Sequence, residues 1–247
     1  MRVLITRPRD DAERLADALG AMGIEPLMEP LFHIDHRGGP TLDLDGVQAL
    51  LVTSANGVRA FAARDGRRDL TVYAVGDASA RAAAEAGFAD VESASGDVEA
   101  LARLVRRRLD PAWGAVLHAA GTWVAGDLAG MVEEAGFTYR RAVLYEARAA
   151  DGFSAATVQA LKAGTVDGAL FFSPRTAQCF VDLVREGGLA GACGRIIAFC
   201  LSPAVAGKAN ALTWRETCVA ARPDETALLD AVFSRRGGGQ GTDIVSR

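Results

Sequence analysis

The chain has 247 residues, half of them apolar, which is enough to bury one large or two ordinary cores and excludes a disordered protein. Its net charge of −4 is spread without basic blocks, which argues against a nucleic-acid surface and leaves any anionic ligand to be held by local geometry. No run is long enough to span a membrane, and the opening Met1-Arg2-Val3-Leu4-Ile5 breaks at Thr6-Arg7-Pro8, too soon for a signal peptide.

In chain order, apolar periodicity predicts a strand at 3–5. A helix follows with Leu15, Ala16 and Leu19 on one face and stops near 20–23. Residues 25–34 read as one extended segment whose Pro26 and Pro30 suit an edge strand or an exposed crossing. After the break His36-Arg37-Gly38-Gly39-Pro40, the run Leu50-Leu51-Val52 is a buried strand, and Thr53-Ser54 opens a helix that continues past Phe61. A strand at 71–75 ends in Gly76-Asp77-Ala78-Ser79-Ala80 and leads into an alanine-rich helix that stops at Gly87. A short strand at 90–93 precedes a helix at 98–109, whose Arg103, Arg106, Arg107 and Arg108 form a solvated face.

The opening pattern then returns. Val116-Leu117-His118 matches Val3-Leu4-Ile5, and at the same offset Leu128 matches Leu15, Gly136 matches Gly23, and Val143-Leu144-Tyr145 falls on Pro30-Leu31-Phe32. Leu170-Phe171-Phe172-Ser173-Pro174 likewise repeats the strand and capped helix at Ser54, with Phe180 as far beyond Ser173 as Phe61 is beyond Ser54. The chain is therefore a duplication in the order A-B-A′-B′, and strands alternating with helices predict parallel sheets covered on both faces. The last half-unit contains helices at 154–163, 177–186 and 224–233 and one that runs from the turn Cys200-Leu201-Ser202-Pro203-Ala204 to Asn210, with strands at 168–172, 196–199 and 217–220. Residues 235–247 are Gly-rich, lack periodicity and are expected to be a disordered tail.

Several chemistries lack their residues. His33, His36 and His118 show no ligand spacing with one another or with Cys179, Cys193, Cys200 and Cys218, which read as reduced cytosolic packing thiols. No G-x-G-x-x-G loop and no nucleophile elbow is present. A receiver-type phosphorylation site is excluded by Ser54, which stands where its aspartate belongs. What remains is a set of strand-end turns bearing Thr6, Arg7, Thr53, Ser54, Ser79, Ser173 and Ser202. Each alone is more often an ordinary helix cap than a ligand contact. Together, hydroxyls and free amides at the carboxyl ends of parallel strands would suit a polyanionic small molecule.

The turn Thr6-Arg7-Pro8, the run Thr53-Ser54-Ala55-Asn56-Gly57-Val58 with Phe61, Val75-Gly76-Asp77-Ala78-Ser79-Ala80, Ala135-Gly136-Phe137 before Val143-Leu144-Tyr145, and Phe172-Ser173-Pro174 resemble the uroporphyrinogen-III synthase family from residue 1 to about residue 233. The resemblance implies two flavodoxin-like parallel-sheet α/β domains joined by a two-stranded linker, the chain crossing twice. Domain one would be 1–34 plus 147–234, domain two 35–146, and the linker strands 31–36 and 143–148. The implied reaction cyclises hydroxymethylbilane to uroporphyrinogen III, inverting ring D through a spiro intermediate with loss of water and no cofactor. Tyr145 would be the acid. Arg7, Thr53, Ser54, Ala55, Asn56, Gly76, Ala78, Ser79, Ser173, Pro174 and Ser202 would bind substrate. A cytoplasmic monomer is expected, with no nucleic-acid or membrane partner and at most a transient contact with hydroxymethylbilane synthase. The turn Cys200-Leu201-Ser202-Pro203 departs from the family's glycine and two threonines, and Pro203 removes a hydroxyl and an amide donor. The rival reading is a non-catalytic binder of small polyanions, or a pseudoenzyme of the same fold, which would have no need of Tyr145.

Overall fold

Strands and helices alternate along the described residues, 1–236, of the computed structural model. In chain order they are β1 (Arg2–Ile5), α1 (Arg9–Ala21), β2 (Glu25–Met28), β3 (Phe32–His36), β4 (Val47–Val52), α2 (Ala55–Arg64), β5 (Thr71–Ala74), α3 (Asp77–Glu85), β6 (Val91–Ser93) and α4 (Val98–Arg108). Then come β7 (Ala115–Gly121), α5 (Leu128–Glu133), β8 (Tyr139–Ala149), α6 (Ala155–Ala163), β9 (Gly168–Phe171), α7 (Pro174–Glu186), α8 (Ala190–Cys193), β10 (Ile197–Cys200), α9 (Pro203–Ala209), β11 (Glu216–Val219) and α10 (Glu225–Ser234). The chain forms two compact units, Met1–His33 together with the chain from Ala149 on, and Ile34–Arg148.

The first unit holds a five-stranded sheet in the order β11-β10-β9-β1-β2, with parallel pairs throughout. The second holds β8-β7-β4-β5-β6, also parallel, with β3 added outside β8. Substituting β7 for β1, β8 for β2 and β4–β6 for β9–β11 turns one order into the other, so the duplicated halves share one architecture in permuted chain order. Gly23 and Gly136, matched by the repeat, both have positive φ, +68° and +88°, a turn conformation that glycine adopts without a Cβ penalty.

One face of the first sheet packs Val3, Ile5, Leu15, Leu19, Leu228 and Val232 under α1 and α10. On the other, Phe171 meets Phe180 and Trp214 edge-on at 5.1 and 5.8 Å. In the second sheet Leu50, Val52, Val58, Phe61 and Ala83 form one core. Leu51, Leu101, Val105, Val116, Leu128 and Val132 form the other. Each fully buried aliphatic or aromatic side chain contributes about 1.5–3 kcal/mol.

Three elements differ from expectation. The segment 25–34 is two strands on two sheet edges, broken at Glu29-Pro30-Leu31, where the buried Glu29 carboxylate accepts from the Ser154 amide and hydroxyl. Helix α7 begins at Pro174 rather than 177, because a proline at the first helical position lacks only an N–H that is unbonded there anyway. The stretch 143–148 is no separate strand but the end of the continuous β8. Arg37 N–H donates to Leu144 O and Ala150 N–H to Leu31 O, so β3 and β8 run antiparallel. Of the expected tail, Arg235 and Arg236 are described, and Arg235 pairs with Glu216; the rest lies outside the described residues.

Candidate functional site

The predicted turns all follow the carboxyl ends of parallel strands, and within each unit they lie on neighbouring strands. In the second unit Thr53–Asn56 follows β4 and Gly76–Ser79 follows β5, its hydrogen-bonded neighbour. In the first unit Arg7, Ser173 and Ser202 follow β1, β9 and β10, which are consecutive in the sheet. Strand order reverses at β1/β9 and at β7/β4, the position where open α/β sheets leave a crevice.

The serines act as caps. Ser54 is extended and accepts from Asn56 N–H at 3.2 Å. Ser173 accepts from Thr176 N–H at 3.1 Å, with Thr176 Oγ1 2.8 Å away. Ser202 accepts from Val205 N–H at 3.4 Å, ahead of Pro203. Accepting one bond uses a lone pair and leaves the hydroxyl proton for a further acceptor. Helix α3 is built differently. Its cap is Gly76, which supplies no side-chain bond, so the first-turn amides of Asp77 and Ala78 have no partner inside the helix and carry the positive end of its dipole. Ser79 is 5 % exposed, and its N–H already bonds Gly76 O. The Asp77 carboxylate accepts from Ser93 and Ser95.

The remaining residues are positioned by packing. Ala55 and Asn56 are buried in the first turn of α2. Gly57 lets that helix sit directly on β7, since a Cβ there would lie 2.4 Å from Ala119 O. Tyr145 is 8 % exposed and belongs to the core of the second unit. Its ring lies over Gly121, where a Cβ would come within 2.8 Å of it. The Arg7 guanidinium already holds Glu225 at 2.7 Å and Asp11 at 3.3 Å, and stacks on Phe172 at 4.4 Å. It ties α1 to α10. Thr6 Oγ1 donates to Leu170 O at 2.6 Å.

Sequence reasoning left out two residues, His118 and Tyr139. His118 is 1 % exposed within the otherwise apolar β7. Its Nε2 lies 3.0 Å from Thr53 Oγ1 and its Nδ1 2.7 Å from Tyr139 Oη. Burial, with Arg141 second, pushes its pKa down to about 4, and burial raises Tyr139 to about 12. The available signal was a single histidine in a strand where the matching half has Ile5. Cys193, Cys200 and Cys218 are buried and unpaired, and burial raises their thiols, Cys200 to about 12. Among the described residues no group of three His, Cys, Asp or Glu is placed to hold a metal ion, and no helix is long and apolar enough to cross a membrane.

Fold and turns together define a class: an α/β protein of two parallel-sheet units with helix N-termini set at the carboxyl ends of the strands. The family model described as uroporphyrinogen-III synthase HemD matches residues 13–230. The chain belongs to the uroporphyrinogen-III synthase family, cyclising lyases of heme biosynthesis that act on hydroxymethylbilane. Among solved structures, uroporphyrinogen-III synthetase from Helicobacter pylori is similar over 96% of this chain and 100% of that one, at 17% identity and a TM-score of 0.64. A mutant uroporphyrinogen III synthase from the extreme thermophile Thermus thermophilus is similar over 95% of this chain and 98% of that one, at 19% identity and a TM-score of 0.54. At such identities the likeness is one of fold. The comparison with curated proteins gives no match.

Proposed function

We propose that the strand-end turns bind the carboxylates of hydroxymethylbilane and so fold it for ring closure with inversion. The observation that carries this is the open N-terminus of α3 beside the Thr53–Asn56 turn, with the capped α7 and α9 turns forming the matching edge of the first unit. Ligands in this reading are the amides of Ala55 and Ala78 and the hydroxyls of Thr53, Ser54, Ser173 and Ser202, while Asn56, whose N–H is taken by Ser54, orders the turn. Gly76, Ser79 and Pro174 shape the turns. Arg7 supports the first unit's edge through its own ion pairs.

The chemistry asks little of the protein beyond position. Loss of the terminal hydroxyl gives an azafulvene, the substituted carbon of ring D attacks it, and the resulting spiro ring opens and rejoins in the other sense. Without the enzyme the same substrate closes uninverted, so holding one folded conformation decides the product. Tyr145 is the proposed acid for the departing hydroxyl, supported by its place against Gly121 at the carboxyl end of β7. The protein works without a cofactor, as a cytoplasmic monomer, with at most a transient contact with hydroxymethylbilane synthase.

The test is to incubate the purified chain with freshly made hydroxymethylbilane and separate the product isomers. The inverted isomer, formed faster than spontaneous closure, is expected. Only the uninverted isomer, at the spontaneous rate, would overturn the proposal.

A further inference from the structure

A hydrogen-bonded chain of three side chains crosses the second sheet to its ligand edge. Tyr139 on β8, His118 on β7 and Thr53 just beyond β4 project from one face, since Val116 pairs with Tyr139 and Leu51 with His118 in register. Tyr139 Oη lies 2.7 Å from His118 Nδ1, and His118 Nε2 lies 3.0 Å from Thr53 Oγ1. With imidazole neutral, only one ring nitrogen carries hydrogen, so the chain has a direction. Either the phenol donates to Nδ1 and Nε2–H donates to Thr53, or both bonds reverse.

The two distances favour the first. A separation of 2.7 Å is typical of an O–H donor and short for N–H, whereas 3.0 Å is typical of N–H. With Thr53 Oγ1 accepting from His118, its own proton is free to face the strand-end turn. In the opposite direction Thr53 would offer only lone pairs there, which an anion repels.

The fold itself does not require this chain. At the same offsets in the duplicated half the three positions are Phe172, Ile5 and Pro26, and Ile5 is fully buried. Val3 pairs with Pro26 as Val116 pairs with Tyr139, so the correspondence holds in register as well as in sequence. One copy of the sheet is built with apolar residues there. The other keeps a polar trio, at a cost in burial that packing alone does not call for.

We infer that His118 is a positioning residue, which accepts a hydrogen bond from the Tyr139 hydroxyl at Nδ1 and donates one from Nε2–H, making Thr53 a dedicated hydrogen-bond donor to a substrate carboxylate. The inference rests on the reading that the strand-end turns bind hydroxymethylbilane.

Two measurements test it. In the 15N-labelled full chain, imidazole nitrogen–proton correlation spectra, assigned by comparison with His118→Gln, should show neutral His118 with its proton on Nε2. A proton on Nδ1 in the wild type would overturn the assignment without reference to activity. In kinetics, Tyr139→Phe and Thr53→Val should each raise KM for hydroxymethylbilane, about threefold and about tenfold, with kcat within about twofold. In the Thr53→Val background Tyr139→Phe should raise KM no further. His118→Phe should behave like Thr53→Val, and His118→Gln, whose amide nitrogen replaces Nε2–H, should recover most of the loss. Tyr139→Phe removes one oxygen, so the kinetic arm stands even if His118→Phe fails to fold. Independent, multiplying effects of Tyr139→Phe and Thr53→Val, or an unchanged KM in both, would overturn the inference while wild-type turnover stands. Absence of the inverted isomer with the wild type would instead overturn the reading on which it rests.

Discussion

Replacing Gly57 by alanine sets two effects of opposite sign against each other. Helix propensity favours alanine by about 1 kcal/mol in a helix interior, so on the exposed face of a helix the change would stabilise. Here the added Cβ would meet the Ala119 carbonyl oxygen at 2.4 Å, where real Cβ contacts essentially never fall below 3.0 Å. That carbonyl belongs to β7, held between β4 and β8, so the helix has to move instead. An outward shift of roughly 1 Å would forfeit a quarter to a half of the dispersion attraction at each contact it opens, and Val58 and Phe61, both 0 % exposed, lose most. Overpacking of this kind costs about 1–3 kcal/mol, so after the propensity gain Gly57→Ala should destabilise by up to about 2 kcal/mol. Equilibrium urea unfolding measures the change, and hydrogen exchange locates it in α2 and β4. Stability equal to or above the wild type would refute the argument.

Further predictions concern charge and the site. Above pH about 6.5 His118 is neutral whether folded or unfolded. Its folded pKa is about 4, so between these values the unfolded chain binds a proton that the folded one does not, and roughly 2–3 kcal/mol of stability is lost as pH falls to about 4. Urea midpoints of wild type and His118→Gln followed from pH 7 to 4.5 should diverge, the wild type falling more steeply; parallel curves would count against a buried neutral imidazole. Arg7→Ala should lower the unfolding free energy by about 2 kcal/mol through loss of its bonds to Glu225 and Asp11 while KM stays within about twofold; the reverse pattern would make Arg7 a substrate ligand. Tyr145→Phe should lower kcat several-fold or more at unchanged thermal stability, and an unchanged kcat would reduce the phenol to a packing group over Gly121.

Local chemistry explains what was legible in the sequence. Ser54, Ser173 and Ser202 announce helix starts because a hydroxyl after an apolar run caps the first turn. Gly23 and Gly136 announce matching turns because both need positive φ. These signals lie within a few residues of the structure they specify. Besides the nearby Asp11, Arg7 pairs with Glu225, 218 positions away, and nothing near Arg7 or Glu225 in the chain names the other. The Thr53, His118 and Tyr139 chain depends on the lateral order of three strands, which the alternation of strands and helices leaves undetermined. The break at Glu29-Pro30-Leu31 was hidden because a run of extended residues reads alike whether it serves one sheet or two.

The permuted arrangement of the halves constrains how the protein can be made. β1 pairs with β2 and with β9, which begins only at Gly168. At about 5–20 residues per second, the first two strands and α1 wait on the order of ten seconds after leaving the ribosome for the strand that completes their sheet. In that interval the second unit, whose strands β4–β8 are continuous in the chain, can already close. The nascent protein therefore carries the apolar face of Val3, Ile5, Leu15 and Leu19 as an open adhesive surface, and its dependence on holding chaperones should be greatest during translation of the middle of the message.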